Sequence, residues 1–112
     1  MSYNLKDKNI IITGGSSGIG ESIIDLLLKN KANVVNIDVK DNLKTKTIIT
    51  DITNNQDVTK ILNSIPKKID ILINNAGIGL VGNIENTEEK DFDKIFEVNV
   101  KGLFNITKAI IP

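Results

Sequence analysis

Three successive isoleucines, Ile10, Ile11 and Ile12, run through Thr13 straight into Gly14-Gly15-Ser16-Ser17-Gly18-Ile19-Gly20. A continuous apolar run, rather than an alternating one, suits a strand covered on both faces, as in a parallel sheet. Parallel neighbours need long crossover connections, usually helices. The residues after the glycines supply one: Ile19, Ile23, Leu26 and Leu27 form a single stripe at helical spacing over 19–29. A strand, a glycine turn and a helix in that order point to an α/β architecture.

The same alternation continues along the chain. Asn33–Asp38 reads as a second strand, 46–50 as a shorter third and 69–73 as a fourth. Thr53 is placed to cap a helix whose Val58, Ile61, Leu62 and Ile65 share a face and which Pro66 ends. Thr87 is placed to cap a last helical stretch, with Glu88 and Glu89 favourable in its first turn and Phe92, Ile95, Phe96 and Leu103 on its buried side. Residues 39–45 are too few for a helix and two loops, so an irregular loop is expected there. The pattern predicts a doubly wound parallel α/β sheet in one domain spanning 1–112.

Composition narrows the chemistry. With 112 residues the chain has room for one modest core. Acidic and basic residues balance at 14 each, which argues against an electrostatic nucleic-acid binder. Every basic residue is a lysine, so bidentate arginine contacts to phosphate or bases are excluded. Cysteine and histidine are absent, which removes disulfides, thiolate chemistry, His-based zinc sites and a Ser-His-Asp triad. No apolar run is long enough to span a bilayer, and Met1 to Lys8 lacks the apolar centre of a signal peptide. The cytoplasm is the expected compartment, with no membrane partner.

Open α/β sheets bind ligands beyond the carboxyl ends of their strands. Each predicted strand ends in a group suited to a polar ligand: the glycine turn, Asp38, Asp51, and Asn74-Asn75-Ala76-Gly77. Gly14 permits a tight strand-to-helix turn, Gly18 removes a side chain that would block a pyrophosphate, and Gly20 lets the helix approach closely. The N–H groups so exposed, with Ser16, Ser17 and Ile19 between the glycines, favour an anion at the helix N-terminus. Asp38 is either a solvated loop acid or the acceptor for an adenosine ribose, which would favour NAD over NADP. Asp51 is a loop acid, a helix cap competing with Thr53, or an adenine contact. Asn74 is expected to satisfy buried backbone groups. Asn99 falls on the apolar stripe of the last helix, either as a hydrogen-bonded core amide or as a residue holding water or a kink beside an active site.

Taken together, Thr13 to Gly20, Asp51, Asn74-Asn75-Ala76-Gly77 and Val98-Asn99-Val100 resemble the short-chain dehydrogenase/reductase family in order and approximate spacing. The resemblance implies a Rossmann-like fold, a nicotinamide cofactor, hydride transfer between an alcohol and a carbonyl compound, and a homo-oligomer for the complete family member. It implies that Asp51 and the Ile52 backbone hold adenine, that Asn75, Ala76 and Gly77 line the cofactor site, and that Asn99 belongs to a catalytic tetrad. Two local departures stand out. The helix usual between the second and third strands is missing, and Lys31 stands where a glycine often closes the first helix. A third concerns chemistry. The family's Ser and its Tyr followed four residues later by Lys are not found; the one tyrosine, Tyr3, is followed four residues later by Asp7. On this reading the chain is the N-terminal cofactor-binding portion, truncated after about four strands. It is expected to be inactive by itself, the alternative being a non-catalytic NAD-binding module.

Overall fold

The computed structural model describes residues 4–66, 68–78 and 82–111, with the side chain of Leu62 left out. Tyr3 and the Leu62 side chain, both singled out above, therefore lie outside the described residues. Strands β1 (Asn9–Thr13), β2 (Asn33–Asp38), β3 (Lys46–Ile49) and β4 (Ile71–Ile73) form one sheet in the order β3-β2-β1-β4. All three pairings are parallel, with Ile11 opposite Val35 on one side and Leu72 on the other. Helices α1 (Gly18–Lys29), α2 (Asn55–Lys60), α3 (Glu89–Phe96) and α4 (Leu103–Ile110) complete the set.

The isoleucine run behaves as its composition demands. Ile10 and Ile12 pack on one face of the sheet with Ile24 and Leu27 of α1. Ile11 faces the other way, against Val58 beneath α2 and Ile106 of α4. All three are at most 1% exposed, so β1 is the covered centre of a doubly wound, Rossmann-like sheet. Residues 39–45 form bends and turns with no helix, as their number requires.

Several local expectations need correction. Within α1, Ile19 is 76% and Leu26 58% exposed; Gly20, Ile24 and Leu27 are the buried positions. The apolar stripe exists, but the helix turns a different edge of it to the sheet because Gly20, having no side chain, sits closest. Thr53 does not cap α2. Asn54 does, its Oδ1 accepting the N–H groups of Gln56 and Asp57 at 3.0 and 3.2 Å. Nor does Thr87 cap α3: Glu88 occupies that position without a side-chain bond, while the Thr87 hydroxyl donates to the Asn83 carbonyl.

The final helical stretch departs most. Between α3 and α4, Glu97–Gly102 is π-helical, which shifts the phase of everything after it. Phe92 and Phe96 stack on each other but stay 60% and 53% exposed, and Leu103 is also exposed. Gly102, Asn105 and Ile106 are buried instead. A seam drawn with an unbroken 3.6-residue period crosses the π turn and so misplaces Leu103, while Phe92 and Phe96, ahead of the turn, are exposed on α3 itself. Lys31, by contrast, does take the left-handed conformation at φ 62°, and Asn30 stays at φ −90°.

Candidate cofactor-binding site

The carboxyl ends of the strands open on a cleft of about 790 Å³. The sequence reading places nine of its candidates on the walls: Gly14, Ser17 and Ile19 from the turn, Asp38, Asp51 and Ile52 from the next two strand ends, and Asn75, Ala76 and Gly77 after β4. Ser16, Gly18, Gly20 and Asn99 are not on the walls. Ile37, Val39, Thr50 and Thr53 add to the side of β2 and β3, and Ile78, Lys94, Glu97 and Val98 to the opposite side. Of these, sequence singled out only Thr53, as a helix cap, and Val98, within the Val98-Asn99-Val100 motif; neither was expected to line the site. Their contribution depends on how the loops and α3 fold back, which no short spacing encodes.

The glycine turn is held by its neighbours. Gly14, at φ +69°, lies so close to β4's trailing loop that a Cβ there would meet the Ala76 Cα at 2.8 Å. A Cβ on Gly20 would strike the Gly14 carbonyl oxygen at 2.3 Å and the Asn75 Nδ2 at 2.5 Å. Thr13 joins the two strand ends: its Oγ1 accepts the N–H of Asn75 at 3.1 Å and of Ala76 at 3.0 Å. Asn75 returns the contact, its Nδ2 donating to the Gly14 carbonyl at 3.0 Å. Asn74 binds the Thr107 hydroxyl on α4 rather than a backbone group.

Ser17, at the N-cap of α1, makes no side-chain cap, so the first N–H groups of that helix have no intrahelical or capping partner, and Ser17 and Ile19 line the cleft at this end. Gly18 is exposed, and a Cβ built on it meets nothing within 4 Å. Its φ of +56° gives it a conformational reason to be glycine in this state. At the end of β2, the Asp38 Oδ2 accepts the Ser16 N–H at 2.9 Å and its Oδ1 the Val39 N–H at 2.6 Å. Asp51 Oδ1 accepts both the N–H and the hydroxyl of Thr53, so this acid orders the turn into α2. The Ile52 carbonyl is taken by the buried Asn105 amide at 2.9 Å.

Asn99 lies in the π-helical turn and faces the loop after β4. Its Oδ1 accepts the Ile78 N–H and its Nδ2 donates to the Ile78 carbonyl, both at 2.8 Å. A single amide thereby holds Ile78, a residue of the cleft wall, by both its N–H and its C=O. The clearest charge perturbations lie elsewhere. Asp70, at the opposite end of β4, is held below the usual carboxylate range by the Asn9 N–H, with help from Lys68. Lys44 is raised by its hydrogen bond to Asp25.

A parallel sheet with a glycine turn between β1 and α1, acids after two successive strands and an Asn-Asn-Ala-Gly loop has the form of a dinucleotide-binding fold. The short chain dehydrogenase family profile matches residues 8–112, and the chain belongs to that family. It is 35% identical to an NAD-dependent glycerol dehydrogenase of Listeria innocua over 96% of its length and 48% of the relative's. Among solved structures it superposes on a short chain dehydrogenase of Leptospira borgpetersenii with bound NAD+ at a TM-score of 0.87 and 30% identity, covering 96% of this chain and 46% of that one. It also matches ElxO with NADP bound at 0.83 and 30%, covering 92% and 48%. The chain spans about half the length of the curated relatives it matches. No helix among the described residues is long and apolar enough to cross a membrane.

Proposed function

We propose that residues 1–112 form the cofactor-binding part of a short-chain dehydrogenase/reductase, and that the cleft holds NAD in preference to NADP. The observation that carries this is the division of the cleft by hydrogen-bonding sense. The uncapped N-terminus of α1 offers N–H donors, while Asp38 and Asp51 offer acceptors from the next strand ends. A dinucleotide has the complementary order: an anionic pyrophosphate flanked by donor groups on ribose and adenine. With a lone lysine, Lys94, on walls that also carry Asp38, Asp51 and Glu97, an anion depends on the backbone rather than on a cationic cluster.

In this reading Gly14, Ser16, Ser17, Gly18, Ile19 and Gly20 position the pyrophosphate. Asp38 accepts from the adenosine ribose, and its charge disfavours a 2′-phosphate. Asp51 and the N–H of Ile52 face adenine, the Ile52 carbonyl being already occupied. Asn75, Ala76 and Gly77 support the nicotinamide end. Asn99 fixes Ile78 on that side and belongs to the catalytic set. The bound nicotinamide supplies or accepts the hydride in an alcohol–carbonyl interconversion. A proton donor of the Tyr-x-x-x-Lys kind is absent from these 112 residues. A free tyrosine near pKa ~10 needs such a lysine to act as a base at neutral pH. The purified chain should therefore bind cofactor without turning over an alcohol. The small alcohol or carbonyl substrate and a homo-oligomeric assembly belong to the complete enzyme.

Titration calorimetry with NAD tests the reading. Saturable binding is expected for the unmodified chain and loss of it for Gly20→Val, whose side chain collides with the Gly14 carbonyl and Asn75. Unchanged binding by Gly20→Val would contradict the placement of the pyrophosphate. Alcohol-dependent NADH formation by the chain alone, abolished by Asn99→Ala, would contradict the absence of turnover.

A further inference from the structure

Beneath the glycine turn sits a polar cluster whose central residue is neither on the walls of the cleft nor among the binding contacts above. Its centre is Asn36, in the middle of β2 and 0% exposed. An amide so placed costs free energy unless every polar atom is paired. Here each is: Oδ1 accepts the Gly15 N–H at 2.8 Å, and Nδ2 donates to the Ser16 Oγ at 2.9 Å and the Thr47 Oγ1 at 3.2 Å. Asn42, also buried, comes from the irregular loop 39–45 between β2 and β3. Its Nδ2 donates to the Gly15 carbonyl at 3.0 Å. The Gly15 residue is thus gripped at both its N–H and its C=O by two side-chain amides. The next residue is gripped too: Ser16 donates its hydroxyl to the Lys40 carbonyl at 2.6 Å and its N–H to Asp38.

We infer that Asn36 is a positioning residue for the dinucleotide site, holding the phosphate turn through Gly15 and the ribose-facing carboxylate of Asp38 through Ser16. This rests on the cofactor reading above. Two features separate it from a satisfied core amide. Two of its three hydrogen bonds go to consecutive residues of the turn, and the third goes to Thr47, which itself accepts the Asn42 N–H. And the turn is built around it: a Cβ on Gly15 would lie 2.5 Å from the Asn36 Oδ1. A turn of several glycines has much backbone freedom to lose on binding, so a clamp that removes it beforehand strengthens pyrophosphate binding in particular.

The test uses the full chain carrying Asn36→Ala, with Asn42→Ala as the milder variant should the first fail to fold. Binding of NAD, ADP and adenosine is titrated by NMR, and exchange of the Gly15 amide is followed without ligand. Losing the clamp is expected to weaken NAD and ADP about tenfold while adenosine stays within about twofold. The preference for NAD over NADP falls as Asp38 loses its Ser16 contact. The Gly15 amide exchanges about tenfold faster, while those of Ile11 and Val35 keep their protection. Equal weakening of adenosine and NAD, or a lower Tm with no change in any affinity, would overturn the inference and leave Asn36 a structural amide. Failure of the unmodified chain to bind NAD would sink the cofactor reading instead; the Gly15 exchange rate would then decide the positioning role by itself.

Discussion

The central strand has two neighbours, and the regions beyond them are built differently. On the β2 side the chain is closed. Val34, Val35 and Ile37 of β2 are buried, and Asn36, Asn42 and Asp38 spend hydrogen bonds on the turn beside them, although Ile49 at the β3 edge is exposed. On the β4 side the chain is open. Ile71, Leu72 and Ile73 are half-buried at a sheet edge, and α3 and α4 leave Phe92, Phe96, Leu103 and Phe104 exposed. Polar ties cross this more open region: Thr13 to Asn75 and Ala76, Asn75 to Gly14, Asn74 to Thr107 and Asn99 to Ile78. The contrast teaches that pre-organisation is concentrated where the pyrophosphate and ribose would lie, and that apolar composition alone does not locate the core.

The largest effect that would break this contrast comes from paired truncations. Ile11→Ala should cost about 3 kcal/mol in urea unfolding, because it empties a fully buried site packed against Val58 and Ile106. Phe96→Ala should cost under about 0.5 kcal/mol, since its ring is largely solvated. Comparable losses would mean that the β4 side carries more of the core than its exposure suggests.

Next in size, Thr13→Val removes the acceptor shared by the Asn75 and Ala76 N–H groups. About 2 kcal/mol of stability should go with it. NAD affinity should fall as well, by calorimetry. Asn99→Ala leaves the Ile78 N–H and C=O without their partner and should cost about 1 kcal/mol, with faster hydrogen exchange at the Ile78 amide as its specific mark.

Smaller still, and opposite in sign, Lys31→Gly should stabilise by about 0.5 kcal/mol. It relieves a left-handed lysine worth ~1–2 kcal/mol of strain, less the entropy a glycine adds to the unfolded chain. The smallest effect concerns pH. The Asp70 carboxylate accepts the Asn9 N–H at 2.8 Å where β4 meets β1, and its pKa is lowered in the fold. Its contribution is therefore complete above the ordinary carboxylate pKa of about 4 and is lost as pH falls through the lowered value. Asp70→Asn should flatten the acid side of the stability profile measured by thermal melts.

Much of the closed side was legible in the sequence, because its signals are local. A run of isoleucines, a turn rich in glycine and an acid at a strand end each announce themselves within a few residues. The short 39–45 segment predicted its own lack of a helix by simple length, whereas the left-handed backbone of Lys31 was pointed to only by the family resemblance, which places a glycine there. The open side failed because helical periodicity identifies an apolar stripe but not whether anything covers it. A π-helical turn then displaced the stripe between Phe96 and Leu103. Asn36 and Asn42 were missed although Asn36 interrupts the Val34-Val35-Ile37 run. A polar residue inside an otherwise apolar strand was the available signal. Its partners, 20 residues upstream and 11 downstream, become visible only when β1 and β3 come to lie on either side of β2.

Competitive equilibrium dialysis of the purified chain against NAD and NADP tests the central claim most directly. The account predicts that NAD is retained and NADP is held more weakly, with the difference removed by Asp38→Gly. Tighter retention of NADP by the unmodified chain, or retention of neither, would contradict it.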